Sequence, residues 1–359
     1  MRPFSGYKLC QNVSGGGTNS ATKHDPLRHF AAVLVPFSHN FPLSGLPEPT
    51  VPGWDTLGFV AVAMFFSMSG FFMPQSYASA GNFMAFMAKR CRRIFPGLIV
   101  CCFLMIYVIG AIFTETPAVD YLFDREQVRT FLMFVTLGGR PVPTVFSDFI
   151  FKDAINGSLW TLPVEFGWYI VIGFLLSTCQ SAWKAAGALF WLSASAIVVM
   201  QCAHFDYAFY GVPATFFALF GVAFATGALL STTRVTWIPY RLYMVGISLL
   251  MLFLMRGRPE CQVIGTASLA VLTIVIGVSL KDNLIRGRFD ISYGIYICAF
   301  PLQQIVINRV TGNFWAGMAI SALLTIIAAA LSYHLIEKRF LRRHQKETVT
   351  SSGSFALAA

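Results

Sequence analysis

LGFVAVAMFFSMSGFFMPQSY, residues 57–77, runs for twenty-one residues without a charged side chain. As a helix rising 1.5 Å per residue it covers about 30 Å, the thickness of a bilayer's hydrocarbon layer. Windows of similar length recur along the chain, at 27–46, 94–113, 159–176, 185–202, 209–230, 237–255, 262–280, 291–306 and 314–336. Hydrophobic residues make up 56% of the 359 positions and charged ones 12%, a balance outside the soluble-domain range. The expected fold is an all-α integral membrane bundle of about ten transmembrane helices. Residues 131–138 are apolar but too short to span, and are expected to form an interfacial or re-entrant piece.

The ends differ from this core. Residues 1–26 are polar and rich in Gly and Ser, with no apolar stretch of the kind that precedes a secretory cleavage site, and are expected to form a flexible cytoplasmic tail. Residues 342–359 are expected to form a second, short cytoplasmic tail, leaving 27–341 as one membrane domain. The eight cysteines sit mostly in or against apolar runs and lack zinc-ligand spacing, so they are expected to pack as small hydrophobes, with no metal bound.

Charge orients the bundle. With the N-terminus cytoplasmic, nineteen of the 26 Lys and Arg fall on inner segments, among them Lys89, Arg90, Arg92, Arg93, Arg234, Arg286 and Lys338. Inverting the chain would invert this excess, against the positive-inside rule. The formal +10 charge is therefore a topology signal rather than the basic face of a nucleic-acid-binding module, and no nucleic-acid partner is expected.

Ionisable residues inside apolar runs are expensive and mark function by default. In LRHFAAVLVPFSH, Arg28 and His39 return to nearly the same helix face about 16 Å apart, with Arg28 at the inner mouth and His39 deep in the bundle. For His39 alone, a hydrogen-bonded packing histidine is the alternative. Ser67, Ser69 and Gly70 form a small-residue patch that admits either another helix or a slender ligand arm. KRCRRIFPGL then places Arg90 and Arg93 one turn apart, suited to phosphates but also to anchoring a membrane boundary. In GSLWTLPVEFGWY, Glu165 is the one carboxylate well inside a predicted span, roughly 9 Å below residue 159. Entering from the opposite side, His39 reaches a comparable depth.

Taken in order, these segments resemble the acyltransferase type 3 family of integral-membrane O-acyltransferases, from Leu27 to about Leu341. The likeness rests on Arg28 and His39 with ten residues between them, on the SGF at Ser69–Phe71, on Arg90 and Arg93, and on WTLPVE at Trp160–Glu165. SYGIY from Ser292 with Phe300 and Pro301, and LSYHLIEK at Leu331–Lys338, complete it. Thr161 stands where many relatives have Ser, and Arg339 where Pro often follows.

The resemblance implies a multi-pass protein of the bacterial inner membrane that takes cytoplasmic acyl-CoA, commonly acetyl-CoA, as co-substrate, with no tightly bound cofactor. The acceptor would be a carbohydrate or glycolipid. Arg28, Arg90 and Arg93 would hold the nucleotide phosphates, the pantetheine arm would pass Ser69 and Gly70, and His39 with Glu165 would perform the proton transfer. Trp160, Ser292 and Tyr293 are candidate oxyanion donors, and Ser67 or Ser69 a candidate covalent carrier. Two other readings remain open here. One is a proton-coupled transporter with His39 and Glu165 as relay groups, although no internal repeat supports it. The other is a silent membrane scaffold.

Overall fold

A computed structural model describes residues 25–139, 141–142, 144–204, 207–280 and 290–340. The two predicted tails lie outside the described residues, apart from Asp25 and Pro26, and so do Arg286 and its neighbours. Each predicted span coincides with a helix: α1 (Asp25–Leu43), α2 (Leu57–Ala80), α3 (Phe83–Phe113), α6 (Thr161–Thr178), α7 (Ala182–Cys202), α8 (Ala214–Thr232), α9 (Arg234–Leu254), α10 (Cys261–Ser279), α11 (Ser292–Ile305) and α12 (Phe314–Phe340). Between α3 and α6 lie the short α4 (Ala118–Phe123) and α5 (Arg125–Val135). Residues 131–135 of the predicted interfacial piece are thus the last turns of α5, and a two-residue hairpin, Ala208–Phe209 with Val212–Pro213, precedes α8.

Eight of these helices are long and apolar enough to cross a membrane among the described residues. The other two, α1 and α11, carry polar groups along their length: Arg28, His29, His39 and Asn40 in the first, Gln303 and Gln304 in the second. One expected boundary is corrected. The basic run at 89–93 lies inside α3 rather than before it, because α2 stops at Gly81 in the left-handed conformation (φ 81°) and Asn82 Oδ1 accepts from Ala85 N at 2.9 Å, starting the next helix at once. The resulting helix of 31 residues is long enough for its basic turn to stand outside the hydrocarbon.

Contacts between connections agree with ten alternating passes. Gly257 N donates to Gly53 O at 2.7 Å and Arg256 Nε to Pro52 O at 3.1 Å, joining the loops after α1 and α9. Arg28, at the start of α1, pairs with Asp290, just before α11, at 3.2 Å. Arg309, beyond α11, pairs with Asp148 in the α3–α6 connection at 2.6 Å, and Ile150 N donates to Asn308 Oδ1 at 2.9 Å. Each contact links two segments that such threading puts on one side.

The chain divides into two compact units. One contains the chain up to Met87 with Trp160–Asp290, the other Ala88–Leu159 with the chain from Ile291 onward. In the first, α2 and α8 lie backbone to backbone. A Cβ added at Gly70 would overlap the carbonyl oxygen of Phe224, and one at Gly227 the carbonyl oxygen of Ser67. Small residues at these positions let the two helices touch, which is how apolar helices gain contact energy in lipid. Around the seam, Phe66 stacks on Phe220 at 4.7 Å, and Ala31, Met68, Leu230, Trp237 and Ile274 close a buried cluster.

In the second unit, α3 contains a π-helical stretch, Leu104–Ile109. The Tyr121 hydroxyl of α4 donates to Ile106 O there at 3.1 Å, over the open face of Gly110. Burial pushes the Tyr121 phenol up to about 12, so it remains a donor at all ordinary pH.

Gly70→Val and Gly227→Val are each expected to separate α2 from α8 at a cost of about 3 kcal/mol or more. Thermal unfolding in detergent should show both strongly destabilised, whereas Gly246→Val, where open space awaits a side chain, should unfold like the wild type. Equal stability of all three variants would contradict the packing described.

Candidate functional site

Glu165 stands on the second turn of α6. Four residues on, one turn along the same face, the Tyr169 hydroxyl donates to Glu165 Oε1 in a short hydrogen bond. From α2, Ser69 Oγ donates to that same oxygen at 3.0 Å. Ser69 and Tyr169 are buried while Glu165 is half-buried. Both described donors converge on Oε1. Oε2 is left to accept from a further group, among the described residues.

This cluster grows out of the α2–α8 seam. Gly70 admits the backbone of Phe224, and the Phe224 ring lies 6.2 Å from that of Tyr169, which holds Glu165. The open face of Gly70 is therefore filled by a helix. Of the two uses expected for the small-residue patch, packing occupies Gly70, and Ser69 is turned toward Glu165.

His39 lies one turn before the end of α1, half-buried. A second carboxylate comes close to it. Glu48, in the following loop, accepts from Ser38 Oγ at 2.6 Å, and its Oε1 stands 2.6 Å from where a Cβ of Gly58 would be, so only glycine fits there without displacing it. Sequence reasoning passed over Glu48 because an acid in a loop is ordinary. The flanking Pro47 and Pro49, which stiffen that loop, were the available signal.

Arg28 is placed at the start of α1 as expected, but it is not bare. Asp290 neutralises it at 3.2 Å, and its guanidinium lies 5.7 Å from the centre of the Phe72 ring, so an incoming anion would share Arg28 with Asp290. Arg90 and Arg93 belong to the other unit, on α3, both half-buried.

Several motif residues serve the architecture of that second unit. Tyr293 donates its hydroxyl to Ile94 O at 2.7 Å, Tyr296 to Ser158 O at 2.7 Å, and Asn156 Nδ2 to Ile297 O at 2.8 Å, fixing the chain just before the WTLPVE stretch. The Tyr293 hydroxyl is thereby committed to a carbonyl, and the Trp160 ring packs against Phe216 at 5.4 Å in the first unit. Glu337, which falls just beyond the predicted end of the last span, is buried inside α12, where it accepts from Ser332 Oγ at 2.8 Å.

A family model described as an acyltransferase domain matches residues 25–334, which include α1 through most of α12. The chain belongs to the acyltransferase type 3 family. Over 326 residues it is 35% identical to an O-acetyl transferase of Shigella phage Sf6, covering 89% of this chain and 96% of that one. Over 348 residues it is 30% identical to nodulation protein 10 of Rhizobium leguminosarum bv. viciae, covering 88% and 91%. No solved structure matches it. The protein is thus a multi-pass membrane acyltransferase, which sets aside the transporter and scaffold readings.

For an acyltransferase, the hydroxyl pair on Glu165 is a means of fixing a carboxylate inside an apolar bundle. Tyr169→Phe keeps the ring against Phe224 and deletes one donor. A hydrogen bond to a charged group is worth about 1.5–3 kcal/mol, so turnover should fall roughly 10- to 100-fold, with KM for both substrates nearly constant. Steady-state kinetics on the purified variant would check this, and unchanged turnover would reduce Tyr169 to a packing residue.

Proposed function

We propose that the protein transfers an acetyl group from cytoplasmic acetyl-CoA to a hydroxyl of a carbohydrate or glycolipid destined for the cell surface. The observation that carries the reading is the half-buried Glu165 held by Ser69 and Tyr169 on the helices that bear two of the family's motifs. The likeness to a phage O-acetyl transferase supports acetyl as the acyl group.

In the proposed reaction, neutral His39 accepts the proton of the acceptor hydroxyl as its oxygen attacks the thioester carbon. The tetrahedral intermediate collapses with loss of the C–S bond. The thiolate leaves and takes the proton back from His39, giving ester and free CoA. Glu165 stabilises the imidazolium while it lasts, as the carboxylate does in triad-like sites. Glu48, bonded to the adjacent Ser38, is a second carboxylate beside this helix end. Arg28, Arg90 and Arg93 are assigned to the donor's phosphates on their motif positions and on the bidentate chemistry of arginine.

His39→Ala and Glu165→Gln should each remove at least 10²-fold of the acetylation rate, and the double variant should be little worse than either single one, because groups acting as one unit give non-additive losses. Arg90→Gln with Arg93→Gln should instead raise KM for acetyl-CoA about tenfold, the loss of roughly 1.4 kcal/mol of donor binding. Radiolabelled acetyl transfer by purified protein measures both. Multiplicative losses at His39 and Glu165 would separate the pair, and an unchanged donor KM would return the arginines to membrane anchoring.

The proposed orientation has both termini in the cytoplasm of a bacterial inner membrane and α4 and α5 on the outer face. With the exposed Cys202 replaced by Ser, a cysteine introduced at Asp124 should react with an impermeant thiol reagent in intact cells, and one at Arg234 only after lysis. The reverse pattern would invert the topology.

A further inference from the structure

The helix α5 is turned inside out for a helix in water. At 100° per residue, Gln127, Thr130 and Phe134 share one face, and all three are buried. The opposite face carries Arg125, Val128, Arg129, Leu132 and Thr136, the positions that with Met133 line a shallow groove of about 440 Å³. Its apolar members are open: Val128 is 50% exposed and Leu132 54%. The preceding α4 continues the surface with Val119 at 66% and Phe123 at 85% exposed. A helix that buries two polar side chains and turns valine and leucine outward faces something other than water. With 11 residues it is too short to span, which leaves the boundary layer of the membrane, where an amphipathic helix lies flat with its apolar side chains at the acyl level.

Two arginines stand within this outward apolar stripe. Arg129 has Glu126 at 3.5 Å, an exposed pair that contributes little, while Arg125 has no partner among the described residues. At the depth set by Val128 and Leu132, the anionic groups available to two guanidinium forks are the phosphates of the lipid itself. The charge of the stripe and the shape of the groove complement each other: the forks border a trough whose floor is apolar, matching a phosphate with acyl chains below it.

We infer that the α5 groove is a docking site for the headgroup of an anionic phospholipid, held by Arg125 and Arg129 with its chains against Val128, Leu132 and Met133. The site would moor the α3–α6 connection to the membrane, and it does not depend on the catalytic assignment above.

The test is native mass spectrometry of the full-length protein in detergent, titrated with phosphatidylglycerol or phosphatidylcholine of the same chain length. Each arginine near an anionic surface is worth about fivefold in affinity, so Arg125→Gln with Arg129→Gln should weaken phosphatidylglycerol binding roughly 20- to 30-fold and leave phosphatidylcholine binding unchanged. Arg125→Lys with Arg129→Lys should recover most of the lost affinity. Both positions are exposed, so folding should be unaffected, and an unchanged melting temperature of the variants confirms it. Equal binding of the two lipids by the wild type, or full phosphatidylglycerol binding by the double Gln variant, would overturn the assignment. So would a double Gln variant that changes only KM for a lipid-linked acceptor.

Discussion

The first unit is organised by the contact of two backbones. Where Gly70 of α2 meets Phe224 of α8, and Gly227 of α8 meets Ser67 of α2, there is no room for a single methyl group. Lipid supplies little hydrophobic drive for helices to associate, so close van der Waals approach has to do this work. The seam sets the distance at which every neighbouring side chain operates. It brings the Phe224 ring toward Tyr169, and it fixes the rotation of α2 that turns Ser69 to Glu165. The glycine that meets a backbone and the serine that meets a carboxylate are adjacent in sequence because both follow from one helix orientation.

The two carboxylates of this unit that bear on the proposed chemistry are secured by different means. Glu165 is inside a helix and receives hydroxyls from its own helix and from α2. Glu48 is on a loop and is folded back onto Ser38 in the space that Gly58 leaves open. In both cases a hydroxyl donor offsets part of the cost of holding charge among apolar groups without supplying a countercharge. Either oxygen pair can then respond to a cation formed nearby, such as an imidazolium. At Arg28, by contrast, the countercharge of Asp290 is built in.

Much of this was legible in the sequence because the bilayer imposes a length. A run such as 57–77 has one stable fate, and the helices fall where the apolar windows placed them. The boundary of α3 was missed because a charge cluster was read as a loop, whereas Gly81 and Asn82 already carried the stop and start of the two helices. Glu165 and Ser69 stood out as a polar residue and a small patch within apolar runs, and the structure joins them. Glu48 and Asp290 were invisible for a shared reason: each acts through a partner remote in sequence or beyond a turn, and hydropathy carries no information on pairing. The same limit applied to Tyr293 and Tyr296, whose motif looked chemical and whose hydroxyls bind backbone carbonyls.

The α2–α8 seam also bears on how the protein is made. Gly70 and Gly227 are 157 positions apart, and at typical synthesis rates the second leaves the ribosome roughly 10 to 30 s after the first. Throughout that interval α2 is already apolar enough to enter the membrane, yet the groove along its small residues is open. Lipid chains, the insertion machinery or an earlier helix have to fill it. A chain arrested before α8 would keep that groove without its partner, so premature termination anywhere between the two helices yields a fragment whose spans are individually apolar enough to insert but whose seam is never closed.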